Sequence, residues 1–145
     1  MSFTKMVGSL LNAVRDDAAA KVWIDRELKM NLALPFCGYA IKGRNGEQVG
    51  AFVFNGYTGA DVELTLACSE RVNVRVARFI FLLAFYDLGA RRLTVKTRAS
   101  NKRAINAALA TGFKIEGRLR EYFNGEDAII FGLLEREQRL VKRNG

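Results

Sequence analysis

Between residues 62 and 69 the side chains alternate, with Val62, Leu64, Leu66 and Cys68 set against Glu63, Thr65, Ala67 and Ser69. A period of two predicts a strand with one apolar and one polar face. The period then changes. Val76, Ala77, Phe79, Ile80, Leu83 and Ala84 nearly surround a helix over residues 73–88, which therefore lies against a sheet. Asn73 is its expected cap and Gly89 its stop.

The same reading extends in both directions. Residues 10–30 are expected to be helical, with Leu11, Val14, Ala18 and Val22 as an apolar stripe, joined by Ala19 and Trp23, and with Ser9 or Asn12 as cap. Residues 36–42 and 48–54 form a hairpin across Arg44-Asn45-Gly46-Glu47, whose Asn-Gly pair suits a tight turn. Residues 92–97 make a short strand with Leu93 and Val95 inward. Residues 101–111 make a helix closed by Gly112. Residues 113–122 and 128–135 are two strands joined by a turn at 124–127. A strand-helix-strand-helix-strand order implies right-handed crossovers and a sheet that is partly parallel in its middle.

Composition narrows the class. With 145 residues, half of them apolar, and a single proline, the chain suits one domain over 1–145, the basic stretch 136–145 being a frayed extension. The apolar run at 79–85 is far shorter than the roughly 20 residues of a membrane span, and no signal-peptide core is visible; a soluble, cytoplasmic protein is expected. Cys37 and Cys68 are too few for a disulfide framework and read as buried free thiols. There is no histidine. That excludes Ser/His/Asp and Cys/His catalysis and the usual zinc sites, so no metal is expected and acid-base work falls to Glu, Asp, Tyr, Cys or water. A formal charge of +8 favours a polyanionic partner: a nucleotide cofactor, nucleic acid or an acidic protein.

Residues 101–122 carry Asn101, then a helix, then Gly112-Phe113, then Glu116-Gly117-x-x-Arg120, and upstream stands Phe85-Tyr86-Asp87-Leu88-Gly89-Ala90-Arg91-Arg92-Leu93. This ordered set resembles the GNAT N-acetyltransferases, nearest the branch that contains the ribosomal-protein N-acetyltransferases, over roughly residues 62–135. The resemblance implies an α/β GNAT fold: a mixed central sheet with splayed middle strands, flanked by helices. It further implies transfer of an acetyl group from acetyl-CoA to a primary amine by direct attack, and a possible homodimer. In this chain the splayed strands would be 62–69 and 92–98, with the pantetheine arm against Leu66, Ala67 and Cys68.

The pyrophosphate would sit on Arg71, Val72, Asn73, Val74, Arg75 and Val76 at a helix N-terminus, where N–H groups and the dipole favour an anion. The family loop reads Arg or Gln, two residues, Gly, one residue, Gly or Ala, so Val74 and Val76 stand where small residues are usual. Asn101, Lys102 and Arg103 would contact the cofactor from the second helix. The usual proton donor on that helix aligns with Ala104 and Ala108, neither of which can donate. Tyr122 or Tyr57 could replace it, or water, since a thiol of pKa about 8.5 leaves readily. Glu63 is the first candidate for general base and Glu70 the second, while Cys68 as an acyl carrier is disfavoured by its place on the apolar face.

Basic residues crowd Arg91, Arg92, Lys96, Arg98, Lys102, Arg103, Lys114, Arg118 and Arg120. They are more than one cofactor requires, and the acceptor amine could therefore belong to an anionic macromolecule. The alternative is a catalytically degenerate protein of the same fold that binds nucleic acid or an acidic partner.

Overall fold

The structure, a computed structural model, describes residues 12–142. A seven-stranded sheet runs in the order β1-β2-β3-β4-β5-β7-β6. Its strands are β1 (Asn12–Arg15), β2 (Phe36–Lys42), β3 (Gln48–Asn55), β4 (Asp61–Cys68), β5 (Arg92–Arg98), β6 (Lys114–Phe123) and β7 (Glu126–Leu134). Three α-helices flank it: α1 (Asp17–Leu28), α2 (Val74–Phe81) and α3 (Lys102–Ala110). Among the described residues only β4 and β5 pair in parallel; every other neighbouring pair is antiparallel. The expected mixed α/β fold is observed.

The helices divide between the two faces. On one, Val76, Ile80, Phe81, Ala84 and Phe85 pack on Phe52, Phe54, Val62, Leu64, Leu93, Phe131 and Leu133. Phe113 joins this core, its ring centroid 6.1 Å from that of Phe81. Gly112 (φ +103°) ends α3 in a conformation that a side chain resists, and so delivers Phe113 to that position. On the other face α1 buries Ala20 and Ile24 against Ala51 and Val53.

Several expectations are corrected. Residues 12–15 are a strand, not the first turns of a helix. β1 pairs Val14 with Ala40 and Arg15 with Tyr39, and α1 begins only after Asp16, whose carboxylate accepts the Ala19 N–H at 3.0 Å. The physical reason is the Asp16-Asp17 pair, since carboxylates favour a helix start and Asp17 also accepts the Gly38 N–H. The buried stripe is accordingly rotated to Ala20 and Ile24, leaving Val22 65% exposed. Leu11 and Ser9 lie outside the described residues.

The helix expected over 73–88 changes character midway: α2 widens into a π-helical segment, Leu82–Asp87, in which Leu88 N–H reaches Leu83 C=O. The last turn is tighter than expected, Phe123 pairing with Glu126 across Asn124-Gly125. The tail is docked through residue 141: Gln138 is buried, Leu140 and Val141 pack on the core, and the Tyr86 hydroxyl donates to Val141 C=O. Its positions 143–145 lie outside the described residues. Cys37 and Cys68 are free and only partly buried.

Candidate active site

The parallel ladder between β4 and β5 runs from Asp61 and Arg92 to Leu64 and Val95 and then stops. Beyond that point β4 continues on β3 through Cys68, and β5 continues on β7 through Arg98. The two strands diverge, and the backbone groups of 65–68 that would face β5 have no ladder partner. Polar backbone in that position is available to a ligand. A cleft of about 190 Å³ occupies the divergence, lined by Leu66, Ala67, Cys68, Ser69, Lys96, Thr97, Arg98, Asn101 and Phe123, with Trp23, Glu27 and Leu28 of α1 as its outer wall.

At the closed end stands a group of three side chains. Glu63 of β4 is ion-paired with Lys96 of β5, and the Lys96 ammonium donates to the Tyr122 hydroxyl at 3.4 Å while lying 4.9 Å from the centroid of that ring. Burial by itself would lower the Lys96 pKa; the Glu63 carboxylate more than offsets this, Tyr122 adds to it, and the ammonium is held above its ordinary range. These three line a second, smaller cavity with Met30, Thr65 and Thr94. Lys96 and Phe123 line both spaces. Tyr122 reaches Lys96 because β6 is bulged before Phe123, where Glu121 adopts φ +52° and its N–H donates to Asp127. The sequence singled out Glu63 and Tyr122 separately; the fold brings them to one cation.

The opposite end of the divergence is basic. Arg71, Arg75 and Arg78 at α2, and Lys102 and Arg103 at the start of α3, form no ion pair among the described residues. Much of the remaining basic cluster is neutralised within the fold: Arg92 by Asp61 and Glu116, Arg98 by Glu126, Lys114 by Glu137 and Arg118 by Asp127. The Arg103 charge acts on Cys68, yet burial dominates there and pushes the thiol above its ordinary pKa. Cys68 is therefore a thiol at neutral pH, poorly suited to carry an acyl group.

Do these residues fit acetyl-CoA? The Val76 side chain is buried in the core and Val74 is half exposed, so neither valine closes the helix end from within. The cap is less accommodating: Asn73 Oδ1 accepts the Val76 N–H at 2.9 Å, while its Nδ2 is buried without a partner. The Val74 and Arg75 N–H groups remain at the open end of the helix. Val72 packs its side chain on the core. Asn101 caps α3 in the same way, accepting the Ala104 N–H at 3.0 Å. The strand divergence fits a pantetheine arm, and the two helix starts with their unpaired cations fit its phosphates, Asn73 competing for one donor.

The other candidates separate. Tyr57 donates to Leu88 C=O at 2.8 Å and lies on the loop before β4. Glu70 is exposed beyond the end of β4. Ala108 packs on the core while Ala104 is half exposed on α3. Sequence reasoning missed the part of Arg98, which donates to Leu28 C=O at 2.8 Å and stacks 5.1 Å from the Phe123 ring, tying α1 to the sheet across the cleft. It also missed Trp23 as a wall of the cleft; its Nε1 is buried without a partner.

The mixed sheet and the divergence between β4 and β5 are the fold of solved N-acetyltransferase structures. Among solved structures this chain is similar to spermidine/spermine N-acetyltransferase SpeG from Vibrio cholerae, with a TM-score of 0.68 and 13% identity over 89% of this chain and 95% of that one. It is also similar to the crystal structure of a protein described as a putative acetyltransferase, with a TM-score of 0.71 and 18% identity over 90% and 88% of the two chains. At such identities the likeness establishes the fold, and it does not single out the ribosomal-protein branch. No family model matches the sequence, and no curated protein matches it.

Proposed function

We propose that this chain is an N-acetyltransferase that moves the acetyl group of acetyl-CoA to a primary amine. The observation that supports it is the ladder stopping at Leu64 and Val95, which opens a cleft with cations that form no ion pair among the described residues toward one end and the Glu63–Lys96–Tyr122 group at the other. Bound acetyl-CoA supplies an activated thioester. Leu66, Ala67 and Cys68 present the strand backbone to the pantetheine arm, while Arg71, Val72, Asn73, Val74, Arg75 and Val76, with Asn101, Lys102 and Arg103, take its phosphates. Glu63 holds the acceptor ammonium and takes up its proton through water, and Tyr122 is the hydroxyl that can return a proton to the leaving thiolate. Holding both partners in one cleft accounts for much of the rate such a site can provide.

The second reading, a degenerate protein that binds nucleic acid or an acidic partner, draws support from the Asn73 cap and from Ala104 and Ala108. Calorimetric titration with acetyl-CoA separates the two. Binding at micromolar to sub-millimolar concentration, together with label from acetyl-CoA on an added amine, supports the enzyme; no binding at millimolar cofactor, with retained nucleic-acid binding, supports the alternative.

A further inference from the structure

Charge and hydrogen-bonding capacity in the cleft between α1 and the divergent strands are lopsided. The carboxylate on its walls and the one in the adjoining smaller cavity each already have a cation: Glu27 pairs with Arg26 at 3.4 Å, and Glu63 with Lys96, which lines both spaces. Arg98 is matched by Glu126 and by Leu28 C=O. Lys96 occupies Glu63 Oε1, so Glu63 Oε2 can take one ligand ammonium, and no further carboxylate here is left for a second one. Donors, by contrast, are in excess. An ammonium has three N–H groups, and Lys96 uses one toward Glu63 and one toward Tyr122. Trp23 Nε1 is buried with no acceptor at all. Both residues line the cleft.

Unused donors beside a compensated carboxylate call for an oxygen acceptor on the ligand, because a buried donor left unpaired costs about 1–3 kcal/mol. A linear polyamine supplies none and adds positive charge next to Lys96. An amine carried close to an oxyanion supplies both parts: its ammonium for Glu63 Oε2 and its oxygens for the remaining N–H of Lys96.

We infer that the acceptor is a primary amine carried next to a phosphate or carboxylate group, and that Lys96 is the residue that sets this preference. The inference rests on the proposed acetyl transfer for its meaning, but binding to the cleft can be read without cofactor. Lys96 selects by repulsion as much as by attraction, since a polycation must be seated against a half-buried ammonium that is already committed to Glu63.

The test is calorimetry with three probes, phosphoethanolamine, β-alanine and spermidine, on the wild type, Lys96→Met and Lys96→Arg. Wild type is expected to bind phosphoethanolamine or β-alanine at least about tenfold more tightly than spermidine, a difference of roughly 1.4 kcal/mol. Lys96→Met should cancel or reverse the ratio by unmasking Glu63, and Lys96→Arg should largely retain it. Equal or tighter binding of spermidine by the wild type, no detectable binding of any probe, or an unchanged ratio in Lys96→Met each overturns the inference. Acetyl-CoA binding by the same three proteins is measured in parallel. Its absence in the wild type counts against the proposed activity and not against the acceptor preference, and its retention in Lys96→Met shows that the variant is folded. An altered probe ratio accompanied by the same shift in the rates of acetyl transfer to the two amine classes joins both readings.

Discussion

Asn73 occupies the position where a cap and a cofactor phosphate would compete, and the outcome of removing it can be worked from its contacts. Its Oδ1 accepts the Val76 N–H at 2.9 Å, and its own backbone is extended (φ −85°, ψ 168°), so any residue can replace it without strain. Loss of an Asn cap to Ala costs about 1 kcal/mol, and to Gly only a few tenths. Against that loss stands the Asn73 Nδ2, buried without a partner; deleting a group of that kind recovers part of a penalty of about 1–3 kcal/mol. Asn73→Gly should therefore change stability by less than about 1 kcal/mol, which for a domain of this size moves the midpoint by no more than about 3 °C. The freed Val76 N–H becomes a third donor at the start of α2, beside those of Val74 and Arg75. One additional charge-assisted hydrogen bond to a pyrophosphate is worth about 1.5 kcal/mol, roughly tenfold in affinity. Differential scanning calorimetry and titration with CoA on the same preparations give both quantities. Unchanged or weaker CoA binding in a variant whose midpoint has scarcely moved would refute the placement of the pyrophosphate on α2.

Other outcomes follow from the same geometry. Glu63→Gln keeps the side-chain shape and removes the charge, so turnover should fall by about a hundredfold or more, with CoA affinity unchanged in calorimetry; turnover within twofold of wild type removes Glu63 as the base. In Gly50→Ala the added Cβ would stand 2.8 Å from Ala67 O and from Cys68 Sγ and 2.9 Å from Cys68 Cα, so β4 must move where it lines the cleft. We expect a loss of about 1–3 kcal/mol in urea unfolding together with weaker CoA binding. Acid should destabilise the fold. Asp17 is held below the ordinary carboxylate range by its hydrogen bond from Arg15 and by the Gly38 N–H, and Asp127 by the Glu121 N–H and Arg118. Their folded pKa values lie below the unfolded ones, so this contribution is full above about pH 4 and is lost as pH falls through the folded values. The thermal midpoint should be flat from pH 8 to 6 and decline below about 4; a midpoint that rises on acidification contradicts those pairings.

The elements that local chemistry controls were legible along the chain. The Asn45-Gly46 hairpin, the Asn73 cap, the Gly112 stop and the alternation of β4 all rest on residues within a few positions of one another. The start of α1 was misread although its signal was present: apolar spacing over 10–30 outweighed Asp16-Asp17, and the backbone followed the carboxylates because β1 gains ladder hydrogen bonds on β2 that a longer helix would forgo. Glu63 and Tyr122 were identifiable by type and strand position. Lys96 was counted only as one of many basic residues, since nothing in its neighbourhood along the chain distinguishes it from Arg98 or Arg92.

Sequence alone determined the order of strands and helices from β2 onward, the turn chemistry and the surplus of basic groups, because each depends on steric and hydrogen-bonding preferences that act over a few residues. Tertiary structure decided which of those charges remain available. Glu63 and Lys96 stand 33 residues apart and meet only because the crossover through α2 returns β5 beside β4. Coulomb energy depends on distance and on the surrounding dielectric, and both are properties of the folded chain. The same fold pairs Arg92, Arg98, Lys114 and Arg118 with carboxylates and leaves Arg71, Arg75, Lys102 and Arg103 unpaired among the described residues at one end of the cleft.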